Sequence, residues 1–220
     1  MAHSFEDVLV ATLRLRFGRT LLEAQIYWPS NSVAGARASL ALLLANGATP
    51  RSAHSADMLG RGLSMGANLV VLRVPDRTQC LAVLTWAADH ADELGGQADR
   101  LIVAGGGPSG ARATRLAIIA RDTGWPVLQR QILVHPRFTV GCPPPARVAG
   151  VAAATIVSGS GPRDHARRYA ARLKRAGVEV GELRQPYSWR GNVDDEMRMM
   201  AELARSLQTE SQNHTKGSLA

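Results

Sequence analysis

Residues 105–110 read Gly-Gly-Gly-Pro-Ser-Gly. Before them, Leu101 to Ala104 form an apolar run of strand length, and after them Leu116, Ile119 and Ala120 recur at helical spacing. Glycine permits backbone angles that a side chain forbids, and Pro108 suits the first turn of a helix, where its missing N–H is not needed. A strand, a glycine-rich turn and a helix can do two kinds of chemistry. Gly105, Gly107 and Gly110 fit G-x-G-x-x-G, in which a helix N-terminus holds a pyrophosphate. The turn can also be laid on G-x-S-x-G, which lifts a nucleophile clear of a sheet. In that register position 107 is the nucleophile position, and it is glycine.

The elements around the turn alternate. Val8 to Arg16 and Leu21 to Trp28 read as a hairpin closed by Gly18-Arg19. Ala38 to Leu44 is a short inner strand, followed by a helix from about Ala53 to Leu63 and a strand from Asn68 to Val74. Thr78 to Leu94 reads as a helix stopped by Gly95-Gly96. Beyond the central unit come strands at Val127 to His135, Ala152 to Val157 and Val178 to Arg184, with helices at Asp164 to Ala176 and Asp194 to Leu207. Strands alternating with helices predict an α/β fold with a mostly parallel sheet covered on both faces. The expectation is one domain over residues 1–209 and a disordered polar tail at 210–220.

Of the 26 basic residues only Lys174 and Lys216 are lysine, and the formal net charge is +8. A nucleic-acid binder needs a basic stripe with interleaved aromatics. The nearest candidate is Arg163, Arg167, Arg168, Arg172 and Arg175. Their spacing predicts the solvated face of one helix, with Ala166, Tyr169, Leu173 and Ala176 on the buried face. No nucleic-acid partner is expected. No apolar run approaches the roughly 20 residues of a membrane span, so no membrane partner is expected either. The opening MAHSFEDVLV has an acidic pair and no basic stretch, and is not expected to be a signal peptide. Two isolated cysteines, Cys80 and Cys142, point to neither a disulfide framework nor a metal site, and fit a cytoplasmic setting.

Arg100 to Asp122 resembles, without a gap, the R-I-x-V-x-G-D-S-A-G-G-N-L-A…A-R-D segment of the hormone-sensitive-lipase-like esterases of the α/β-hydrolase superfamily. Trp86 to Gly96 is similar to the segment before their elbow strand. Tyr169 to Val178 is similar to their Y-A-x-x-L-x-x-A-G-V. The order of the three segments agrees, so the resemblance implies an α/β-hydrolase fold. The first strand lies close to the start of the chain, so the cap helices of these esterases are expected to be absent. The competing dinucleotide fold would place the glycine turn in the first βαβ unit and an acidic residue on the next strand. Here about 100 residues precede the turn, and the next strand offers Gln129, Arg130 and Gln131.

The resemblance also implies where an ester hydrolase would carry its nucleophile, acid and base. Those positions hold Gly107, Gly161 and Arg190. Glycine has no attacking group, and arginine stays protonated and cannot serve as a general base. The residue after the nucleophile, which donates its N–H to the oxyanion, is Pro108, which has none. The H-G-G-G loop of the family corresponds to Ala45-Asn46-Gly47-Ala48. These losses imply a non-catalytic homologue that binds a small anion or a protein partner. Its candidate ligand-binding residues are Asn46, Gly47, Gly105, Gly106, Gly107, Tyr187, Trp189 and Arg190, with the glycine N–H groups facing the guanidinium. No cofactor is expected. Two alternatives stay open. One is an active ester hydrolase with a relocated nucleophile, Ser109, served by Asp164 with His165 or His135. The other is nucleotide or flavin binding through the GGGPSG turn. The simpler expectations are that Ser109 is a small residue in a first helical turn, His135 ends a strand, and Asp164 caps a helix.

Overall fold

The computed structural model of the chain describes residues 8–30, 38–45, 49–75, 79–140, 144–159, 164–185 and 198–207. The apolar runs become eight strands: β1 (Leu9–Phe17), β2 (Thr20–Trp28), β3 (Ala38–Ala45), β4 (Leu69–Pro75), β5 (Gly96–Gly106), β6 (Leu128–Val134), β7 (Ala153–Ser158) and β8 (Val180–Arg184). They form one sheet in the order β1-β2-β4-β3-β5-β6-β7-β8. β1 pairs antiparallel with β2 and β2 with β4; every other pair is parallel. The helices are α1 (Pro50–Ala67), α2 (Cys80–Asp89), α3 (Pro108–Thr123) and α4 (His165–Arg175), with a further helix, α5, over 198–207.

Successive strand residues point to opposite faces, so each inner strand feeds two cores. Leu40, Leu42, Val103 and Ile156 lie on the face covered by α2, α3 and α4. Ala41, Leu43, Ala104 and Val157 lie on the face covered by α1 and α5. Both faces of β3 are buried, which is why it reads as an unbroken apolar run with no alternation. The predicted α/β class with helices on both faces is the observed one.

The structure corrects several boundaries. α1 begins three residues earlier than the apolar pattern indicates. Thr49 caps it: its hydroxyl accepts from the Ser52 N–H at 3.1 Å, while Ser52 Oγ accepts from the Thr49 N–H at 3.0 Å. Pro50 therefore opens a helix and does not close a loop. α2 stops at Asp89 and not near Leu94, and the chain descends through turns in which the Gly96 N–H donates to Ala91 O at 2.8 Å. Trp28 Nε1 donates to the Leu94 carbonyl at 2.9 Å. β5 starts at Gly96, five residues before Leu101, because its first residues pair with Ala38 and Ser39 before a register shift. Ile119, read as part of the buried face of α3, is 38% exposed; Ala113, Leu116, Ala117 and Ala120 carry that face. Among the described residues, no helix is long and apolar enough to cross a membrane. The tail at 210–220 and Cys142 lie outside the described residues.

The sheet order also decides against the dinucleotide reading. A doubly wound dinucleotide domain carries its glycine turn after the first strand of a 3-2-1-4-5-6 sheet. Here the turn follows the fifth strand of a sheet that opens with an antiparallel hairpin.

Candidate functional site

The C-terminal ends of β3, β5 and β6 meet at the glycine turn, the edge where open α/β sheets bind ligands. Gly107 is the apex, with φ 55° and ψ −125°, an angle pair that side chains rarely adopt. Its neighbours force the sharpness of the turn. A Cβ on Gly105 would sit 2.7 Å from the carbonyl carbon and oxygen of Ser109, and one on Gly110 would sit 2.9 Å from Gly105 O. The first turn of α3 thus folds back directly onto β5, which only two glycines allow. At Gly107 itself a Cβ would meet nothing within 4 Å. The apex faces open space.

The backbone of the apex is already engaged. The Gly107 N–H donates to Val134 O at 2.9 Å, and Gly107 O accepts the Arg137 N–H at 2.8 Å. This corrects the expected cradle of three glycine N–H groups. Gly105 and Gly106 are strand residues paired with Leu133 and Val134 of β6, and Gly105 is buried. Pro108 follows at the first helical position.

Beside the apex lies a cavity of about 220 Å³. Its walls are mainly apolar, with Leu43 and Leu44 from β3 and Ala56 and Leu59 from α1. Its polar groups are Ser52, Ser55, Ser109, His135 and Arg137, set around Gly106 and Gly107. His135 takes a left-handed backbone, φ 45°, with its N–H on Val157 O at 2.9 Å. Burial holds its imidazole below the ordinary histidine pKa, and the Asp164 carboxylate opposes that shift without cancelling it. The histidine at this cavity is therefore neutral at neutral pH.

The fallback residues are only partly brought together. Ser109 is buried at 1% exposure and lines the cavity along with His135. Asp164 is the N-cap of α4: its Oδ1 accepts from the Ala166 N–H at 2.8 Å and its Oδ2 from the Gly159 N–H. His165 turns to Phe138, accepting the Phe138 N–H on Nδ1 at 3.1 Å and stacking on its ring. His165 is not among the cavity walls. Asp164 and His165 thus hold α4 and the 136–138 segment in place. Asn46, Gly47, Gly161, Tyr187, Trp189 and Arg190 lie outside the described residues. Among the described residues, no group of three His, Cys, Asp or Glu side chains could hold a metal ion.

Three lining residues escaped the sequence reading: Ser52, Ser55 and Arg137. A signal for two of them was present. Ser52, Ser55, Ala56 and Leu59 fall at i, i+3, i+4 and i+7, one face of α1. Arg137 follows β6 in a loop at the same strand ends.

No protein-family model matches the chain. Over 133 residues it is 29% identical to the carboxylesterase NlhH of two Mycobacterium tuberculosis strains, a match covering 54% of this chain. The chain spans 40% of the length of the curated relatives it matches. Among solved structures, an arylesterase superposes with a TM-score of 0.77 at 17% identity, covering 91% of this chain and 85% of that one. A Pyrobaculum calidifontis esterase gives 0.75 at 19% identity, covering 92% and 85%. The esterase LipW from Mycobacterium marinum gives 0.73 at 21% identity, covering 91% and 81%. The fold of this chain is the α/β-hydrolase fold of these esterases.

Proposed function

We propose that the chain is an esterase-like binding protein that holds a small, partly apolar carboxylate at the β5–α3 turn without hydrolysing esters. The observation that carries the reading is the apex itself. Gly107 supplies no attacking atom, and Pro108 supplies no N–H for an oxyanion. The cavity supports a small ligand. Its volume of about 220 Å³ lies below the roughly 300–1,000 Å³ of drug-sized sites. Leu43, Leu44 and Leu59 suit a short hydrocarbon, Ser52 and Ser55 offer hydroxyls, and Arg137 offers a guanidinium to a carboxylate.

A second reading rests on Ser109 and neutral His135 lining the same cavity. In it His135 takes the Ser109 proton as the hydroxyl attacks an ester carbonyl. One experiment separates the two: short-chain activated esters and a fluorophosphonate probe with wild type and Ser109→Ala. The expected result is background turnover and no labelling in both. Turnover that disappears in Ser109→Ala overturns the binding reading and establishes the second. The ligand class is tested by thermal shift with butyrate, phosphate and sulfate. Ligand at 100 times its dissociation constant stabilises by about 2.7 kcal/mol. The butyrate shift is expected to shrink in Arg137→Ala.

A further inference from the structure

A second recess lies at the opposite edge of the sheet. α3 starts at Pro108, next to Gly107, and runs 16 residues, so its C-terminal end is about 24 Å away at 1.5 Å per residue. There the ends of α3 and α4 and the 146–149 loop enclose an open cleft of about 700 Å³. Four arginines line it, Arg121, Arg147, Arg172 and Arg175, and the other walls are small apolar residues. Among the described residues, no carboxylate lines it. Asp122, beside it, is paired with Arg121 at 2.6 Å. Glu179, just before β8, and Glu182, on β8, are engaged elsewhere, by Arg130 and Lys174.

Part of this arrangement holds the loop. Arg121 donates to Arg147 O and Ala149 O, at 3.2 and 2.7 Å, and Arg172 donates to Pro145 O at 2.6 Å. Arg121, Arg172 and Arg175 also offset the negative ends of their helices. Neither role accounts for the convergence. Arg147 belongs to no helix, and its side chain has no hydrogen-bond partner among the described residues. Arg172 uses one of its five N–H donors, and Arg175 uses only Nε, on Ala171 O. Arg121 is offset by Asp122, but the other three like charges around one concavity repel, and a multiply charged anion relieves that repulsion while accepting the remaining donors.

We propose that this cleft is a binding site for an oligophosphate, either free or as the phosphate chain of a nucleotide. The site is independent of the one at Gly107. The test is calorimetric titration of the full chain, at low salt, with inorganic tripolyphosphate, ATP and AMP. Tripolyphosphate and ATP are expected to bind, and AMP to bind at least about tenfold more weakly, since a single phosphate satisfies fewer of the charged donors. ATP tighter than tripolyphosphate assigns the nucleotide; equal affinity assigns the phosphate chain alone. Both support the site. Arg147→Ala and Arg175→Gln, exposed positions that leave the loop clamps intact, are expected to weaken binding about tenfold each. Arg167→Ala and Arg168→Ala, exposed on α4 but outside the cleft, are expected to change nothing. Equal weakening in all four variants would overturn the proposal in favour of diffuse attraction to a chain of net charge +8. No binding to wild type, or a single-stranded RNA that binds more tightly than tripolyphosphate and depends on Arg167 and Arg168 as well, would also overturn it.

Discussion

Two substitutions two residues apart, Gly105→Ala and Gly107→Ala, are expected to differ sharply in cost. At Gly107 the added Cβ meets nothing within 4 Å, so the penalty is the backbone angle alone. Holding a non-glycine residue at φ 55°, ψ −125° costs about 1–3 kcal/mol. For a chain of this size each kcal/mol is roughly 2–4 °C in Tm, so a mid-range cost of about 2 kcal/mol lowers Tm by roughly 4–8 °C. Serine at the same place is expected to fall within about 0.5 kcal/mol of alanine, because the same backbone angle dominates its cost and its Cβ also meets nothing within 4 Å. At Gly105 the backbone is an ordinary strand and the penalty is steric. The Cβ would sit 2.7 Å from the Ser109 carbonyl and 2.8 Å from the Gly110 nitrogen, all of it backbone. The first turn of α3 would have to move by roughly an ångström, at the upper end of the 1–3 kcal/mol typical of overpacking or beyond it. Urea unfolding and thermal melts of the three variants measure the order. Gly107→Ala as destabilising as Gly105→Ala would refute the claim that the apex has room for a side chain.

Two further outcomes follow from the same edge of the sheet. Asp164→Ala is expected to lose about 1–2 kcal/mol or somewhat more, because it removes the α4 cap and leaves the Gly159 N–H without its acceptor; Asp164→Asn should lose less, since one oxygen remains. Stability is expected to fall on acidification: His135 is depressed in the folded chain below its ordinary 6.5, so the unfolded state binds the extra proton, and its contribution is lost as pH falls from about 6.5 through the folded value. His135→Asn, which tolerates the left-handed backbone, should flatten that part of the Tm–pH profile; a superimposable profile would show that another group governs it.

Inner strands such as β3 were legible because they are unbroken apolar runs buried on both faces, as Leu40 to Leu44 are. The hairpin was legible because Gly18-Arg19 sits between two strand-length segments that mix polar and apolar residues, and Phe17 pairs with Thr20 across it. Helix ends were less so. The start of α1 depends on hydrogen bonds between Thr49 and Ser52, which hydrophobic spacing does not register. The turns that follow α2 are tied down by Trp28, more than sixty residues away in sequence, donating to the Leu94 carbonyl. Asp164 as a cap could be anticipated from its type and place alone. The cavity could not, because Ser52 and Ser55 reach it from α1 while His135 and Arg137 reach it from beyond β6. Only the adjacency of β3, β5 and β6 makes them neighbours.

The shape of the turn and its chemistry rest on different atoms. The shape requires Gly105 and Gly110, whose missing Cβ atoms let α3 lie against β5, and the two bonds that tie Gly107 to Val134 and Arg137. None of these interactions involves a side chain at position 107 or an N–H at position 108. A proline at the first helical position even reinforces the helix start, since that N–H has no intrahelical partner. The packing that positions the turn therefore makes no demand on the side chain at position 107 or on an N–H at position 108. The turn borders a pocket at the strand ends, with an apolar wall from β3 and α1 and a polar rim from His135 and Arg137. In the proposed binding role, selection among ligands falls to that rim. In that role the guanidinium favours a carboxylate, while the half-buried imidazole, held below its ordinary pKa, adds no second positive charge to compete for it.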